Sequence, residues 1–300
     1  MGLTDIGTVM SSKHRFMQLD VFSNQPLKGN PLAVVINADG LDESTMRAFA
    51  RWTNLSETTF LLRPTTAEAD YRVRIFTPHR ELPFAGHPSV GSAYAAIEAG
   101  LIAAGKSNLI QECAAGLLPV RIDGTHAVRT IHVQAPFAQL HRIDEALREA
   151  IGNAVHVTLD DTQVRMVDNG PHWLICNLHD GSRVRALNPD LPAIAALCER
   201  HGAIGVSVFG REHSGDAAMA VRAFCPADGI PEDPVTGSVN AGIMAFLVDS
   251  GDDTYGPRYR ASQGREVGCD GYVEVIRDPT SGAITIGGDC VIPIRGELEL

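Results

Sequence analysis

Short runs of Val, Ile, Leu and aromatic residues recur along the chain, bounded by Gly, Pro, Asn or Asp. Such runs are typical of short β-strands. In the first half of the chain they predict strands at Arg15–Phe22, Leu32–Ile36, Thr58–Leu62, Tyr71–Phe76, Leu109–Cys113, Leu117–Ile122 and Ile131–Gln134. In the second half they predict strands at Trp173–Asn177, Val206–Phe209, Ala218–Phe224, Tyr259–Ser262, Tyr272–Ile276, Ile284–Ile286 and Val291–Ile294.

Apolar positions at helical spacing interrupt this strand pattern in only a few places. They predict helices at Asp42–Trp52, Pro88–Ala99, Asp144–Ile151, Leu191–Arg200 and Ser238–Val248. Because strands follow one another with few helices between them, the regular strand–helix alternation of a doubly wound parallel sheet is absent. The pattern therefore favours an α+β fold.

A hexapeptide in the first half of the chain recurs in the second half. Val73–Pro78 reads VRIFTP and Val221–Pro226 reads VRAFCP, at an offset of 148 residues that Pro83 and Pro231 share. Each copy leads into a helix of small and apolar residues, and a helix that is apolar on all faces is normally buried. We therefore predict two pseudo-symmetric lobes, each a curved, mostly antiparallel sheet or barrel wrapped around a central apolar helix.

The duplication also predicts where the lobes begin and end. We assign residues 14–133 to the N-terminal lobe and residues 134–300 to the C-terminal lobe, whose last strands could cross back to the first lobe. Residues 1–13 lack a basic segment followed by an apolar run, so they do not resemble a secretory signal. We expect them to form a flexible lead-in.

Composition narrows the class of protein further. The 25 Lys and Arg residues are outnumbered by 36 Asp and Glu residues, giving a net charge of −11, which disfavours a nucleic-acid surface. No uninterrupted apolar run is long enough to predict a membrane span. The six cysteines contain no Cys-x-x-Cys pair, and the eleven histidines show no metal-ligand spacing. We therefore expect a cytoplasmic protein with reduced thiols and no metal site.

Residues Gly100–Ser107 match the G-x4-G-K-S pattern of a phosphate-binding loop. Such a loop must follow a strand and open a helix, so that the helix N-terminus faces the phosphates. Here the match follows a predicted helix and precedes a predicted strand. We therefore expect it to be the end of a helix and reject it as a nucleotide site.

The loop Glu81–Ser89 leads into the first buried helix. Gly86 permits close approach of the backbone, His87 can donate or carry a proton, and Pro88 suits the first helical position. The exposed N–H groups of a helix start form a ready site for an anion. The same residues are equally compatible with an ordinary helix start beside a locally bonded histidine.

The loop Glu232–Ser238 leads into the second buried helix. Asp233, Thr236 and Ser238 are each plausible capping residues, which is the structural alternative to a functional role. Pseudo-symmetry would bring the two helix starts together and form one cleft lined with backbone donors. Such a cleft would hold a small carboxylate-bearing molecule.

Glu57 follows the first predicted helix and precedes a predicted strand. A carboxylate in that position fits the ordinary polarity of a turn. It would have a chemical role only if the fold brings it to the cleft between the lobes.

The assembled segments resemble the phenazine-biosynthesis PhzF-like family, a branch of the diaminopimelate-epimerase-like fold. The resemblance rests on Asp20–Phe22 with Gly29–Pro31, Leu55–Phe60, Phe76–Pro78 with Glu81–Pro88, and Pro231–Ser238. It implies two lobes with a cleft between them, no cofactor, and a homodimer.

The resemblance also implies roles for six residues. Glu57 would carry the mobile proton, with His87 and Asp233 as further catalytic residues, while substrate would be bound by Gly86, Gly237 and Ser238. The family reaction is isomerisation of a dihydro-hydroxyanthranilate, in which one proton crosses an allylic system to give a ketone. Burial beside Phe60 and Phe84 is expected to raise the pKa of Glu57 and to permit a protonated resting form.

Two departures from the family and its fold leave alternatives open. Epimerases of this fold use two facing thiols, and neither helix start here carries a cysteine. The family commonly follows a late Gln-Gly, here Gln263–Gly264, with Met-Gly-Arg-Pro, whereas this chain continues with Val267–Asp270, which reads VGCD. An epimerase or racemase with bases other than thiols, or a non-catalytic dimer that binds a small molecule, therefore stands beside the isomerase.

Overall fold

The computed structural model describes residues 12–103, 105–125 and 128–300. These residues form an α+β fold on one continuous sheet of eighteen strands. The predicted α+β class and two-lobed plan are confirmed. In the described residues the α-helices are α1 (Glu43–Thr53), α2 (Gly86–Glu98), α3 (Glu145–Ala154), α4 (Gly181–Arg185), α5 (Leu191–His201) and α6 (Gly237–Ser250).

The strands are mostly those that the pattern predicts, with several short ones added. The first nine are β1 (Lys13–Val21), β2 (Asn30–Ile36), β3 (Glu57–Leu62), β4 (Tyr71–Phe76), β5 (Glu81–Leu82), β6 (Asn108–Cys113), β7 (Gly116–Thr125), β8 (Val128–Gln134) and β9 (Gln139–His141). The other nine are β10 (Val164–Asp168), β11 (His172–Asp180), β12 (Gly205–Arg211), β13 (Met219–Cys225), β14 (Ile230–Asp233), β15 (Arg258–Gln263), β16 (Gly271–Arg277), β17 (Ile284–Gly288) and β18 (Cys290–Glu299).

Most neighbouring strands in this sheet are antiparallel. The parallel pairs are β2 with β3 and β4 with β6 in the first lobe, and β11 with β12 and β13 with β15 in the second. The two lobes thus repeat the same sequence of pairings. This repetition places α2 and α6 in equivalent positions, and most of the side chains of both helices are buried.

The last two strands join the second half of the chain to the first. β17 pairs with β8, and β18 pairs with β1 over most of its length. The backbone N–H of Ser12 donates to the carbonyl of Leu300 at 2.9 Å, beside the pairing of Lys13 with Glu299. Residues 1–11 of the predicted lead-in lie outside the described residues, and Lys13 already belongs to β1.

The repeat is visible in the ion pairs beside each buried helix. Arg74 donates to Glu81 in the first lobe, and Arg222 donates to Glu232 in the second. Both pairs join a long strand to a short one, since β4 pairs with β5 and β13 with β14. The second pair is almost wholly buried, with side-chain exposures of 7% and 8%.

The constant offset of 148 residues does not hold across the whole repeat. Leu82 pairs with Ile75, and the equivalent pair in the second lobe is Asp233 with Ala223. The offset has therefore grown to 151 residues by this point, because the second lobe contains an additional 3₁₀ turn at Pro226–Asp228. The prediction that Pro231 corresponds to the first-lobe proline is wrong; Pro234 takes that place.

The G-x4-G-K-S match lies between α2 and β6, as predicted, and does not open a helix. Gly100 has a positive φ of 75°, as residues after a helix end often do. The Lys106 ammonium forms an ion pair with Asp70. Ala104, inside the match, lies outside the described residues.

Two further features of the described chain bear on its class. None of its helices has the length and apolar character needed to cross a bilayer. All six cysteines, which lie in the described residues, are free.

Candidate active site

The two buried helices begin side by side. A Cβ atom built on Gly237 would lie 3.5 Å from the backbone nitrogen of His87, and one built on Gly86 would lie 3.8 Å from the Cα of Gly237. The helix starts from the two lobes are therefore in direct contact. Gly86, His87, Gly237 and Ser238 come together at this junction.

Neither of these helices has a side-chain cap. The side chains of the N-cap residues Ala85 and Thr236 accept no hydrogen bond from the helix N–H groups. The alternative that the second loop merely caps its helix is therefore wrong. The other α-helices in the described residues each have an aspartate cap, at Asp42, Asp144, Asp180 and Asp190.

The uncapped starts leave backbone donors for a ligand. Within the part of the chain that the structure describes, the N–H groups of Gly86, His87, Gly237 and Ser238 have no acceptor. Helix α2 begins at Gly86, so Pro88 is its third residue. The prediction that Pro88 occupies the first helical position is therefore wrong. Free donors at the positive ends of two helices provide a site suited to a carboxylate.

Ile286 of β17 fills the space next to both glycines. Its Cδ1 would lie 2.7 Å from a Cβ on Gly86 and 2.6 Å from a Cβ on Gly237. These distances are too short for real contacts, so neither helix can begin with a larger residue unless Ile286 moves. The isoleucine forms an apolar wall against which the two starts are packed.

Glu57, the first residue of β3, reaches the start of α2. Its Oε2 lies 3.2 Å from Nδ1 of His87, and the exposed side-chain fractions are 17% and 6%. Because Nδ1 contacts a residue of another element, the alternative of a locally bonded histidine is wrong. The other ring nitrogen, Nε2, is buried and has no hydrogen-bond partner among the described residues.

The expected protonated resting form of Glu57 is contradicted. Burial is the largest single influence and raises the pKa of this carboxyl, but the charge and the hydrogen bond of His87, with a smaller contribution from Ser56, together outweigh it, and the pKa lies below its ordinary value. Phe60 does not contribute to burial, because it packs with Phe49 and Phe76 on the other face of β3. Glu57 therefore rests as a carboxylate at neutral pH.

Asp233 has the opposite shift. Burial raises its pKa to about 6, and the negative charge of Glu57 adds to the increase. Its oxygens accept hydrogen bonds from Asn30 Nδ2 at 3.2 Å and from Thr236 Oγ1 at 2.5 Å. The site thus contains two carboxyl groups that hold their protons over different pH ranges.

Asn30 connects the two carboxyl groups across the lobes. Its amide nitrogen donates to Asp233 and also to the carbonyl of Val235 at 2.8 Å. Its amide oxygen accepts from Ser56 at 3.3 Å, and Ser56 immediately precedes Glu57 in the chain. The asparagine lies in the Gly29–Pro31 segment on which the family resemblance rests. That resemblance was the one sequence signal that could have indicated a role for Asn30 in the site.

Gln263 holds the second loop in place from β15. Its amide oxygen accepts from the backbone N–H of Thr236 at 3.0 Å, and its amide nitrogen donates to the carbonyl of Asp233 at 3.1 Å. The side chain is fully buried. The sequence singled out this residue only as the start of the late motif.

Ser238 is held by two residues that the sequence did not single out as site residues. Trp173 Nε1 lies 3.1 Å from its Oγ, and Asn169 Nδ2 lies 2.8 Å from its carbonyl oxygen. A lone Trp in a predicted strand indicates only a core residue. No sequence signal could have placed its indole nitrogen at the helix start.

The loop that replaces the Met-Gly-Arg-Pro motif still contains an arginine. Arg265 donates to Asp270 Oδ1 at 3.0 Å and to the hydroxyl of Tyr272 at 3.1 Å. Its neighbour Glu266 accepts from Arg185 at 3.3 Å. The guanidinium of Arg265 is thus engaged within its own loop.

The model of the family described as "Phenazine biosynthesis-like protein" matches residues 19–296, which is most of the chain. The chain belongs to this family. It is 36% identical over 294 residues to "Antisense-enhancing sequence 1" of Schizosaccharomyces pombe, covering 95% of this chain and 99% of that one. It is 33% identical over 262 residues to the trans-2,3-dihydro-3-hydroxyanthranilate isomerase of Pseudomonas aeruginosa, covering 85% and 87% of the two chains.

Solved structures of the family agree with the fold. The crystal structure of a PhzF-family phenazine biosynthesis protein from Bacillus anthracis superimposes with a TM-score of 0.83 at 26% identity, covering 96% of this chain and 100% of that one. The family and the relatives of the chain described here identify it as an enzyme of the isomerase class.

Proposed function

We propose that this protein is a cofactor-independent isomerase that moves a proton within a small carboxylate-bearing metabolite. The observation that carries the proposal is the contact of Glu57 with His87 beside two uncapped helix starts. The Glu57 carboxylate can exchange a proton, and the N–H groups of the two helix starts can bind an anion. The dihydro-hydroxyanthranilate class is the proposed substrate, supported by the name of the Pseudomonas aeruginosa relative.

Glu57 begins the reaction as a base, because its resting form is ionised. It takes a proton from the ring carbon that bears the hydroxyl group, and the electron pair of that C–H bond forms a new double bond to the adjacent carbon. The electron pair of the original double bond then forms a C–H bond with the proton that Glu57 returns, at the carbon on the other end of the allylic system. The resulting enol tautomerises to a ketone, so no proton or electron is gained or lost.

The other residues hold the substrate and balance charge during this transfer. The N–H groups of Gly86, Gly237 and Ser238 bind the carboxylate and stabilise negative charge that develops on the substrate. His87 stabilises the ionised form of Glu57 and contacts the substrate through Nε2. Asp233, with its raised pKa, exchanges a proton with the amino or hydroxyl group of the substrate.

The test is incubation of the purified protein with trans-2,3-dihydro-3-hydroxyanthranilate, followed by NMR. Conversion to the ketone supports the proposal, and recovery of unchanged substrate after long incubation contradicts the substrate class. Inversion of a stereocentre without movement of the double bond would instead favour an epimerase. Tight binding without any exchange of substrate protons would favour a binding protein.

A further inference from the structure

The hydrogen bond between Trp173 and Ser238 has only one possible direction. An indole N–H can donate but cannot accept, so Ser238 Oγ is the acceptor at 3.1 Å. The serine must then donate its own proton to another atom. Within the described residues, Oγ forms no other hydrogen bond, and Ser238 lies at the junction of the two helix starts.

The repeat gives this pair a counterpart in the first lobe. β3 pairs with β4, and β12 pairs with β13, in the same register relative to the repeated hexapeptide. Glu57 at the start of β3 and Gly205 at the start of β12 therefore occupy equivalent places. His87 and Ser238 are likewise equivalent, as the second residues of α2 and α6.

Gly205 makes room for the indole. A Cβ on Gly205 would lie 2.5 Å from Cζ3 of Trp173, which is far inside contact distance. The Trp173 ring thus occupies the space that a side chain equivalent to Glu57 would need. Where the first lobe pairs a carboxylate with a histidine, the second lobe pairs an indole with a serine.

We infer that Trp173 is a positioning residue that fixes the Ser238 hydroxyl as a hydrogen-bond donor to the substrate. The inference rests on the proposed function, because it assumes a carboxylate at the helix starts. Asn169 assists by donating to the carbonyl of the same serine at 2.8 Å. Besides Asp233, the second lobe then contributes a fixed donor that does not titrate, opposite the acid/base pair of the first lobe.

A double-mutant cycle tests the role of Trp173. The variants are Trp173→Phe, which removes the N–H but retains an aromatic ring, Ser238→Ala, and the two combined. The probe is 3-hydroxyanthranilate, an aromatic analogue of the proposed substrate that cannot undergo the reaction. Trp173→Phe should weaken binding of this probe about tenfold in the wild-type background and less than about twofold in the Ser238→Ala background.

Kinetics and spectroscopy separate positioning from a general structural role. With the dihydro substrate, Trp173→Phe should raise KM more than it lowers kcat, because the carboxylate is held in the ground state as well as in the transition state. The chain has two Trp residues, so in a Trp52→Phe background only Trp173 gives an indole N–H signal. Ser238→Ala should shift that indole N–H resonance in a proton NMR spectrum. Trp52→Phe is itself the control, since Trp52 is 79% exposed.

The outcomes distinguish this inference from the proposed function. Equal weakening of probe binding by Trp173→Phe in both backgrounds, or no weakening, would overturn the role of Trp173. Failure of the wild type to convert the dihydro substrate would contradict the proposed reaction, while the binding cycle would still decide the inference. A wild type that does not bind the probe at all would overturn both.

Discussion

Gly205 occupies in the second lobe the place that Glu57 occupies in the first. Each is the first residue of its strand, and each strand pairs with the strand that carries its lobe's copy of the hexapeptide, β3 with β4 and β12 with β13. The duplicated fold therefore contains one copy of Glu57 rather than two, and the second carboxyl group of the site, Asp233, belongs to β14. In the proposed reaction Glu57 both removes and returns the proton, whereas an inversion would need a base on each face of the substrate.

Replacing Glu57 with Gln should separate binding from turnover. The amide retains the size of the side chain but cannot exchange a proton, so we expect kcat to fall by about 10²-fold or more. Binding of 3-hydroxyanthranilate should persist. In deuterated water, the wild type should introduce label at the carbon that gains the proton, unless the carboxyl returns its proton faster than it exchanges with solvent. Turnover near the wild-type rate would show that Glu57 is structural.

Replacing His87 with Gln should move the acidic limb of the pH–rate profile. In the wild type the charge and the hydrogen bond of His87, with a smaller contribution from Ser56, hold the pKa of Glu57 below its ordinary value against the effect of burial. Without that charge, burial raises the pKa, so activity should be lost at a higher pH as the solution is acidified. His213→Gln is a matched control, because it removes an exposed histidine from the loop that follows β12. An unchanged acidic limb would contradict the coupling.

Asp233 should make stability depend on pH. Its pKa is about 6 in the folded protein against an ordinary value of 3.8, so the folded state retains a proton that the unfolded state releases. Stability therefore falls as pH rises from about 4 to 7, by roughly 3 kcal/mol. Asp233→Asn should lack this loss, so its Tm relative to wild type should increase over that interval. Asp253→Asn, at an exposed position, should show no such trend.

Shortening Ile286 should rescue an enlarged helix start. Gly237→Ala places a methyl group 2.6 Å from Cδ1 of Ile286, and overpacking of this kind costs about 1–3 kcal/mol. Ile286→Val removes Cδ1 and should alone cost about 0.5–1.5 kcal/mol. The double variant should unfold closer to wild type than the Gly237→Ala protein does. Additive losses in chemical denaturation would show that the contact does not limit residue 237.

The repeated hexapeptide carried most of what the sequence could predict about the fold. It placed Phe76 and Phe224 in equivalent strands and led to two buried helices that meet. It could not reveal the 3₁₀ turn at Pro226–Asp228, because matching prolines concealed an insertion. The two-residue strand β5 was missed because the pairing of so short a segment depends on the neighbouring strand rather than on its own pattern.

The site was harder to predict than the fold, because its parts come from distant segments. Motif residues such as Glu57 and His87 were named, but the direction of the Glu57 pKa depends on a contact that only the fold creates. Ile286 and Trp173 looked like ordinary core residues, since an apolar side chain in a strand predicts burial and nothing more. Their importance lies in glycines on other elements that leave space for them.

The pairing of β17 with β8 and of β18 with β1 has a consequence for synthesis of the chain. A ribosome delivers the N-terminal lobe first, but the strands that complete its sheet are translated only after most of the second lobe. The nascent lobe therefore carries open strand edges and an incompletely covered α2 until β17 and β18 have left the exit tunnel. A prematurely terminated chain that lacks these strands would lose the closing edge of the lobe that contains Glu57. Its exposed strand edges would make it a substrate for chaperones.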